Sequence, residues 1–269
     1  MSKNQKTELS DVEVMEVARG QVQFCILGTT PLIMHRMAQK AINELLLPKG
    51  AKSKADKAAT LKHNPVEEYR NSVHQTQQGD SLLAMPSTAF KAGLSNAAID
   101  IGVGVNKSQM GRLSYVEGEF VNIFGAPKLH MSIVRMDNMS RTPDVRTRAC
   151  LPEWACRLTV SYIKPVINAS IITRLLAGAG MMQGIGDFRM QKGKGSYGSF
   201  KLVDESDEDW QRIMRTQGRA VQTDALKNPE CYDEDTTQLL EWFQNEVGRR
   251  EMAKGADKKT KKEAEGVVA

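Results

Sequence analysis

The sequence predicts an α+β fold of the ferredoxin-like kind: an antiparallel sheet with two helices, a long β-hairpin and a helical, acidic carboxyl-terminal extension. Three observations predict it. Stripped of insertions, the apolar patterns follow the order strand, helix, strands, helix, glycine loop, strand, which is the β-α-β-β-α-β order of that unit. The apolar period switches between two residues and a helical spacing as the chain passes from strands to helices. Beyond residue 203 the composition turns acidic.

Residues 1–20 are polar and are expected to be flexible. "QVQFCIL" then places Val22, Phe24 and Ile26 on one face of a strand. "TTPLIMHRM" follows, with Pro31 ending or bulging that strand. Residues 38–80 form a first insertion, helical in composition and rich in Ala and Lys up to residue 62, of which 48–65 read as exposed rather than core. "MPSTAFKAGLSNAAIDIG" is the clearest helix: Pro86 stands near its first turn, Ser87 or Thr88 can cap it, and Phe90, Leu94, Ala97 and Ile101 keep a helical spacing.

The stretches "EGEFVNIFG", "KLHMSIVRM" and "ACRLTVSYI" read as strands, the last two flanking residues 137–154 as the polar end of a long hairpin. That hairpin belongs to a second insertion at about 104–150. "NASIITRLLAGAGMMQGIG" is the second helix, with Asn168 or Ser170 to cap it and glycines at its end. A glycine loop and the strand "YGSFKLVD" complete the unit spanning 21–203. Residues 204–248 are an acidic helical extension whose Trp210, Leu239, Leu240, Trp242 and Phe243 supply apolar surface, and 249–269 read as a disordered basic tail.

Charge divides the chain. Up to Val203, 26 Lys and Arg face 16 Asp and Glu, whereas from Asp204 to Gly248 only 4 basic residues face 12 acidic ones. A basic body followed by an acidic segment suggests a polyanion-binding domain with an appendage that competes for the same surface. No apolar run reaches membrane-spanning length and the first residues lack a secretory h-region, so the expected setting is the cytoplasm, with no membrane partner. Cys25, Cys150, Cys156 and Cys231 show no paired spacing and are expected to be free thiols.

The loop carries the chemistry. Gly193, Gly195 and Gly198 spell G-x-G-x-x-G. A dinucleotide fingerprint leaves a strand and opens a helix; here a helix precedes and a strand follows. A kinase loop needs its β3 lysine motif, H-R-D and D-F-G downstream, and none of these motifs follows. A Walker loop needs Ser or Thr after its lysine, but Lys194 is followed by Gly195. No cofactor is expected. What remains is a basic, aromatic loop: Arg189, Lys192 and Lys194 to meet phosphates, and Phe188 and Tyr197 to stack on unpaired bases. Arg135, Arg141, Arg146 and Arg148 form a second basic cluster, with Arg146 and Arg148 on one face if their segment is extended. Arg36 and Lys40 make a third.

A glycine-rich loop after the second helix of such a unit resembles the signature of the RAMP superfamily of CRISPR RNA-binding proteins. Pro86, Ser87, Lys91 and Gly93 are similar, with slightly altered spacing, to the P-x-S-x-x-K/R-G pattern of that superfamily. The resemblance spans about residues 21–204. It implies an RRM- or RAMP-type sheet and a protein that coats single-stranded DNA (or RNA) with little sequence preference, self-associating along the strand. Similar bacteriophage proteins work beside recombinases or replication proteins. It also implies two alternatives, a guide-RNA-binding subunit and a metal-independent RNA endonuclease. The endonuclease would use His35 as acid or base, with Lys40 or Tyr69 as its partner. His63, His74 and His130 have no metal-ligand spacing and read as ordinary surface or strand histidines. A structural or protein-interaction module stands as the third reading.

Overall fold

The computed structural model describes residues 17–37, 39–47, 63–135, 141–192 and 195–265. Strand β1 (Ala18–Gly28) runs into β2 (Leu32–Ile33); helix α1 (Gln39–Leu46) and helix α2 (Pro65–Asn71) follow, then β3 (His74–Gln75) and β4 (Leu83–Pro86). Helix α3 (Ser87–Asp100) precedes the short α4 (Lys107–Leu113), β5 (Ser114–Val116) and β6 (Phe120–Phe124). Next come β7 (Lys128–Arg135), β8 (Pro143–Leu151), β9 (Ala155–Lys164), α5 (Ala169–Gly178) and β10 (Phe200–Val203). Helices α6 (Glu208–Thr216), α7 (Arg219–Lys227) and α8 (Glu234–Glu265) end the described chain.

The molecule is mixed α and β around antiparallel sheets. The larger sheet has the order β10-β1-β9-β6-β4-β3, with β5 pairing the far part of β9; the smaller has the order β2-β8-β7. Helices α3 and α5 contact each other and pack over one face of the larger sheet. Phe90, Leu94, Ala97, Ile172, Leu175 and Leu176 meet Ile26, Leu158 and Val160 there in one continuous core. Successive strand residues point to opposite faces. Leu27 and Ala155, beside Ile26 and Cys156, therefore join a second cluster beneath α6, with Phe124, Trp210 and Ile213. Trp210 donates its indole N–H to the Cys156 carbonyl at 3.2 Å.

Several expectations are corrected. The polar connection of residues 137–154 contains the nine-residue strand β8, so the long hairpin is β7-β8 and lies in the smaller sheet. The first insertion also supplies a core residue that was not expected: Tyr69 is fully buried, its hydroxyl lying 3.0 and 2.9 Å from the carbonyls of Pro127 and Ala225, which share its one proton. Ser87 does not cap α3. It is the first helical residue, and its hydroxyl donates to the Gly118 carbonyl, fastening the helix start to the turn before β6. Asn168 caps α5 by accepting from the Ile171 amide at 2.9 Å. Helix α8 continues through Glu265, across most of the stretch read as a disordered tail. The expected flexible terminus lies, up to residue 16, outside the described residues, as do residues 48–62 of the first insertion.

The acidic extension is fastened to the body rather than appended. Gln222 of α7 is fully buried between β4 and β6. Its Oε1 accepts from the Leu82 and Leu83 amides at 2.7 and 3.1 Å, and its Nε2 donates to the Ile123 carbonyl at 2.8 Å. Arg70 of α2 reaches the carbonyls of Leu226 and Lys227. The apolar residues of α8 divide: Leu239 and Leu240 pack on the core, while Trp242 stays 64% exposed. All four cysteines are free, and burial pushes the Cys150 thiol up to about 12. Among the described residues no helix is long and apolar enough to cross a membrane.

Candidate nucleic-acid interface

The loop begins where α5 loosens into a single π turn, Ala179–Gln183, laid directly on β10. A Cβ on Gly180 would stand 2.1 Å from the Phe200 carbonyl oxygen, so only glycine permits that approach. The chain turns away at Gly184 (φ 66°) and returns as two arms held together. Ile185 N–H donates to the Gly198 carbonyl (2.9 Å), and Tyr197 N–H to that of Phe188 (3.4 Å). The arms are also stitched to both ends of β2: Gly198 N–H donates to the carbonyl of Pro31, just before it (2.8 Å), and Asp187 N–H to that of Ile33, its last residue (2.9 Å).

At the outer bend Phe188 adopts φ 52°, a region that bulky residues rarely enter, braced by Asp187 Oδ1 accepting its N–H at 3.0 Å. Its ring is half-exposed and 6.2 Å from that of Tyr197. Backbone outliers of this kind cluster at functional sites. Arg189 curls back, donating to the Gly186 carbonyl (2.9 Å) and to Gln191 (3.0 Å). Lys192 ends a short 3-10 turn; its side chain, and Gly193 and Lys194 altogether, lie outside the described residues.

The smaller sheet brings the second cluster up to the loop. β2 pairs β8 with Ile33 opposite Cys150, and the same register carried on sets His35 beside Arg148. Arg148 Nε donates to His35 Nδ1 at 3.1 Å, and Asp187 Oδ2 lies 3.6 Å from that Nδ1 and 3.8 Å from Arg148 Nε. With Nδ1 accepting from Arg148, the proton of a neutral His35 is assigned to Nε2. Arg146, opposite Ser132, shares the Arg148 face of β8. Arg135 pairs with Pro143 on the opposite face, away from them, and Arg141 precedes β8 with φ 44°. Arg36 follows β2 near His74, on which its charge acts. Lys40 is in α1, but its side chain is outside the described residues.

Between the loop and the start of α3 lies a cleft of about 260 Å³. Gly184, Ile185, Gly186 and Arg189 form one wall, Pro86, Thr88, Ala89 and Gly93 the other, and His35 stands at the edge. The two motif-bearing stretches of the sequence thus face each other across one space. Sequence reading missed Asp187, although it is the sole acidic residue between Glu153 and Asp204. It also passed over His130, which sits between the rings of Tyr197 (6.3 Å) and Tyr232 (5.3 Å), with Nδ1 3.4 Å from Asp233 Oδ2. Tyr69, entertained as a partner for His35, has its hydroxyl committed in the core. Among the described residues no group of three or more His, Cys, Asp or Glu could hold a metal.

Burial first, then the Arg148 charge, lowers the pKa of His35; burial first, then the Arg36 and His35 charges, lowers that of His74. Below the ordinary value of 6.5 the unfolded chain then binds more protons than the native one at both positions, so stability falls as pH drops from there toward the native values. The thermal midpoint should be lower at mildly acidic than at neutral pH, and the double replacement His35→Gln and His74→Gln should flatten that dependence. An unchanged pH profile in the double variant would contradict the assignment. No protein-family model and no curated protein matches the chain.

Proposed function

We propose that this protein binds single-stranded nucleic acid, coating single-stranded DNA with little sequence preference in support of phage DNA replication or recombination. One observation carries the reading. Arg189, next to a strained and half-exposed Phe188, lines a cleft at the start of α3 whose edge is His35, and Arg148 of the Arg146–Arg148 face is bonded to that His35. The strand order β10-β1-β9-β6, with α3 between β1 and β6 and α5 between β9 and β10, is the order expected of a ferredoxin-like unit and supports the RAMP resemblance. Arginines neutralise phosphates and release counterions, while base stacking adds about 1–3 kcal/mol per base without reading sequence. Coating implies copies of the chain side by side along the strand.

Titrating labelled single-stranded DNA, single-stranded RNA and duplex DNA at several salt concentrations tests it. The expected result is salt-dependent binding, tightest for single strands. Equal affinity for duplex, or no binding at low salt, would overturn it. The meeting of His35, Arg148 and Asp187 at the cleft edge favours a second reading, RNA cleavage without metal. It requires that the protein cut structured RNA and that His35→Ala abolish the cut. Against it stands the engagement of His35 Nδ1 by Arg148. An interaction module remains the reading if Arg189→Ala, Lys192→Ala and Lys194→Ala together leave strand binding unchanged.

A further inference from the structure

The β7-β8 register sets Lys128 opposite Cys150, His130 opposite Arg148 and Ser132 opposite Arg146. Alternation then places Lys128, His130, Arg148 and Arg146 on one face, while Leu129, Met131 and Ala149 on the other are buried. Three of these basic side chains meet a carboxylate that comes from outside the sheet. Glu230 lies 3.2 Å from Lys128, Asp233 lies 3.4 Å from His130, and Asp187 lies 3.8 Å from Arg148. Glu230 and Asp233 belong to a strap of the acidic extension running along β7. Leu129 N–H donates to the Glu230 carbonyl and Tyr232 N–H to that of Leu129, both at 2.8 Å.

The contacts are loose. All three exceed the 2.7–2.9 Å of a charge-assisted hydrogen bond, and the three carboxylates remain 38–77% exposed. The two aspartates divide their oxygens alike. Asp187 Oδ1 holds the Phe188 amide and Asp233 Oδ1 holds the Thr236 amide, which leaves Oδ2 of each turned toward the basic residue. The backbone job and the electrostatic job are thus separable within one side chain.

We propose that Asp187, Glu230 and Asp233 stand where a bound strand's phosphates would, and set the affinity of the site by being exchanged for them. This rests on the proposed strand-binding function. Each phosphate that takes a basic partner frees a carboxylate, so fewer counterions are released than the number of basic residues alone would give. Binding then depends less steeply on salt, and stacking carries a larger share of it.

The test replaces all three, Asp187→Asn, Glu230→Gln and Asp233→Asn, which keep the backbone acceptors. Glu246→Gln serves as control, since Glu246 pairs with Arg249 and Arg250 on α8. Affinity for labelled single-stranded DNA is measured across a salt series, with thermal midpoints recorded alongside. The triple variant is expected to bind about tenfold tighter or more at low salt. Its salt slope should be steeper by about 1.4, near 0.7 for each of Lys128 and Arg148 released. The control should change neither. If the wild-type protein binds and the triple variant matches it in affinity and slope, the proposal falls and the strand-binding function stands. A gain no larger than the control's also overturns it, because net charge alone then explains it. Binding by the variant alone upholds the proposal. If neither binds, both readings fall.

Discussion

Replacing Gln222 with alanine is expected to lower the stability of this protein by about 4 kcal/mol, a large part of the 5–15 kcal/mol that holds a typical domain folded. The side chain satisfies the Leu82 and Leu83 amides and the Ile123 carbonyl at a site without solvent. Truncation leaves those groups buried and unpaired, at about 1–3 kcal/mol each. Denaturant unfolding should show an earlier midpoint with an unchanged slope. A loss below about 1 kcal/mol would mean that water or a shifted backbone replaces the amide.

The second large effect is expected at Gly198→Ala, in both stability and binding. Gly198 has φ 74°, and a Cβ there would fall 1.8 Å from the Ile185 carbonyl oxygen, inside any tolerable contact. The methyl group must part the two arms of the loop, breaking the Ile185 to Gly198 and Gly198 to Pro31 hydrogen bonds that present Phe188 and Arg189. A loss of about 2–4 kcal/mol and at least a tenfold weakening of strand binding should follow. Gly248→Ala on α8 is the contrast. A Cβ there meets nothing within 4 Å, so helix propensity should make it neutral or stabilising by up to about 1 kcal/mol. Equal effects at the two positions would refute the steric account.

Patterns that local physics writes into a segment were legible. The alternation in β1, the apolar spacing of α3 and the Asn168 cap of α5 all appear at the expected places. β8 was hidden because its inward residues include small Thr147 and Ala149, while Arg146 and Arg148 mark it as a loop. α2 was hidden because Tyr69 follows a long basic stretch, and nothing nearby reveals that its hydroxyl meets carbonyls of Pro127 and Ala225. β2, β3 and β4 are short strands defined by their partners across the sheet, which no local window contains. The basic end of α8 reads as disordered by charge, although Ala, Glu and Lys are strong helix formers.

The site divides the same way. Loop residues were found from composition, but the role of the glycines changed. In the sequence they are a G-x-G-x-x-G pattern and a helix end, whereas in the fold Gly180 and Gly198 are places where two chain segments touch. Arg146 and Arg148 share a face because β8 is extended; Arg135 does not join them because the register sends it to the other side. Asp187 was overlooked because an acid in a basic loop looks like noise until its neighbours are known.

Trp210 and Ile213 give the acidic extension a further consequence, for anyone seeking a smaller binding unit. A chain cut after Val203 would uncover Leu27, Phe124 and Ala155 on the back of the sheet and leave the β4-β6 amides without Gln222. Such a fragment should aggregate rather than bind. Proteases should therefore trim the ends of this molecule before they separate its basic and acidic halves.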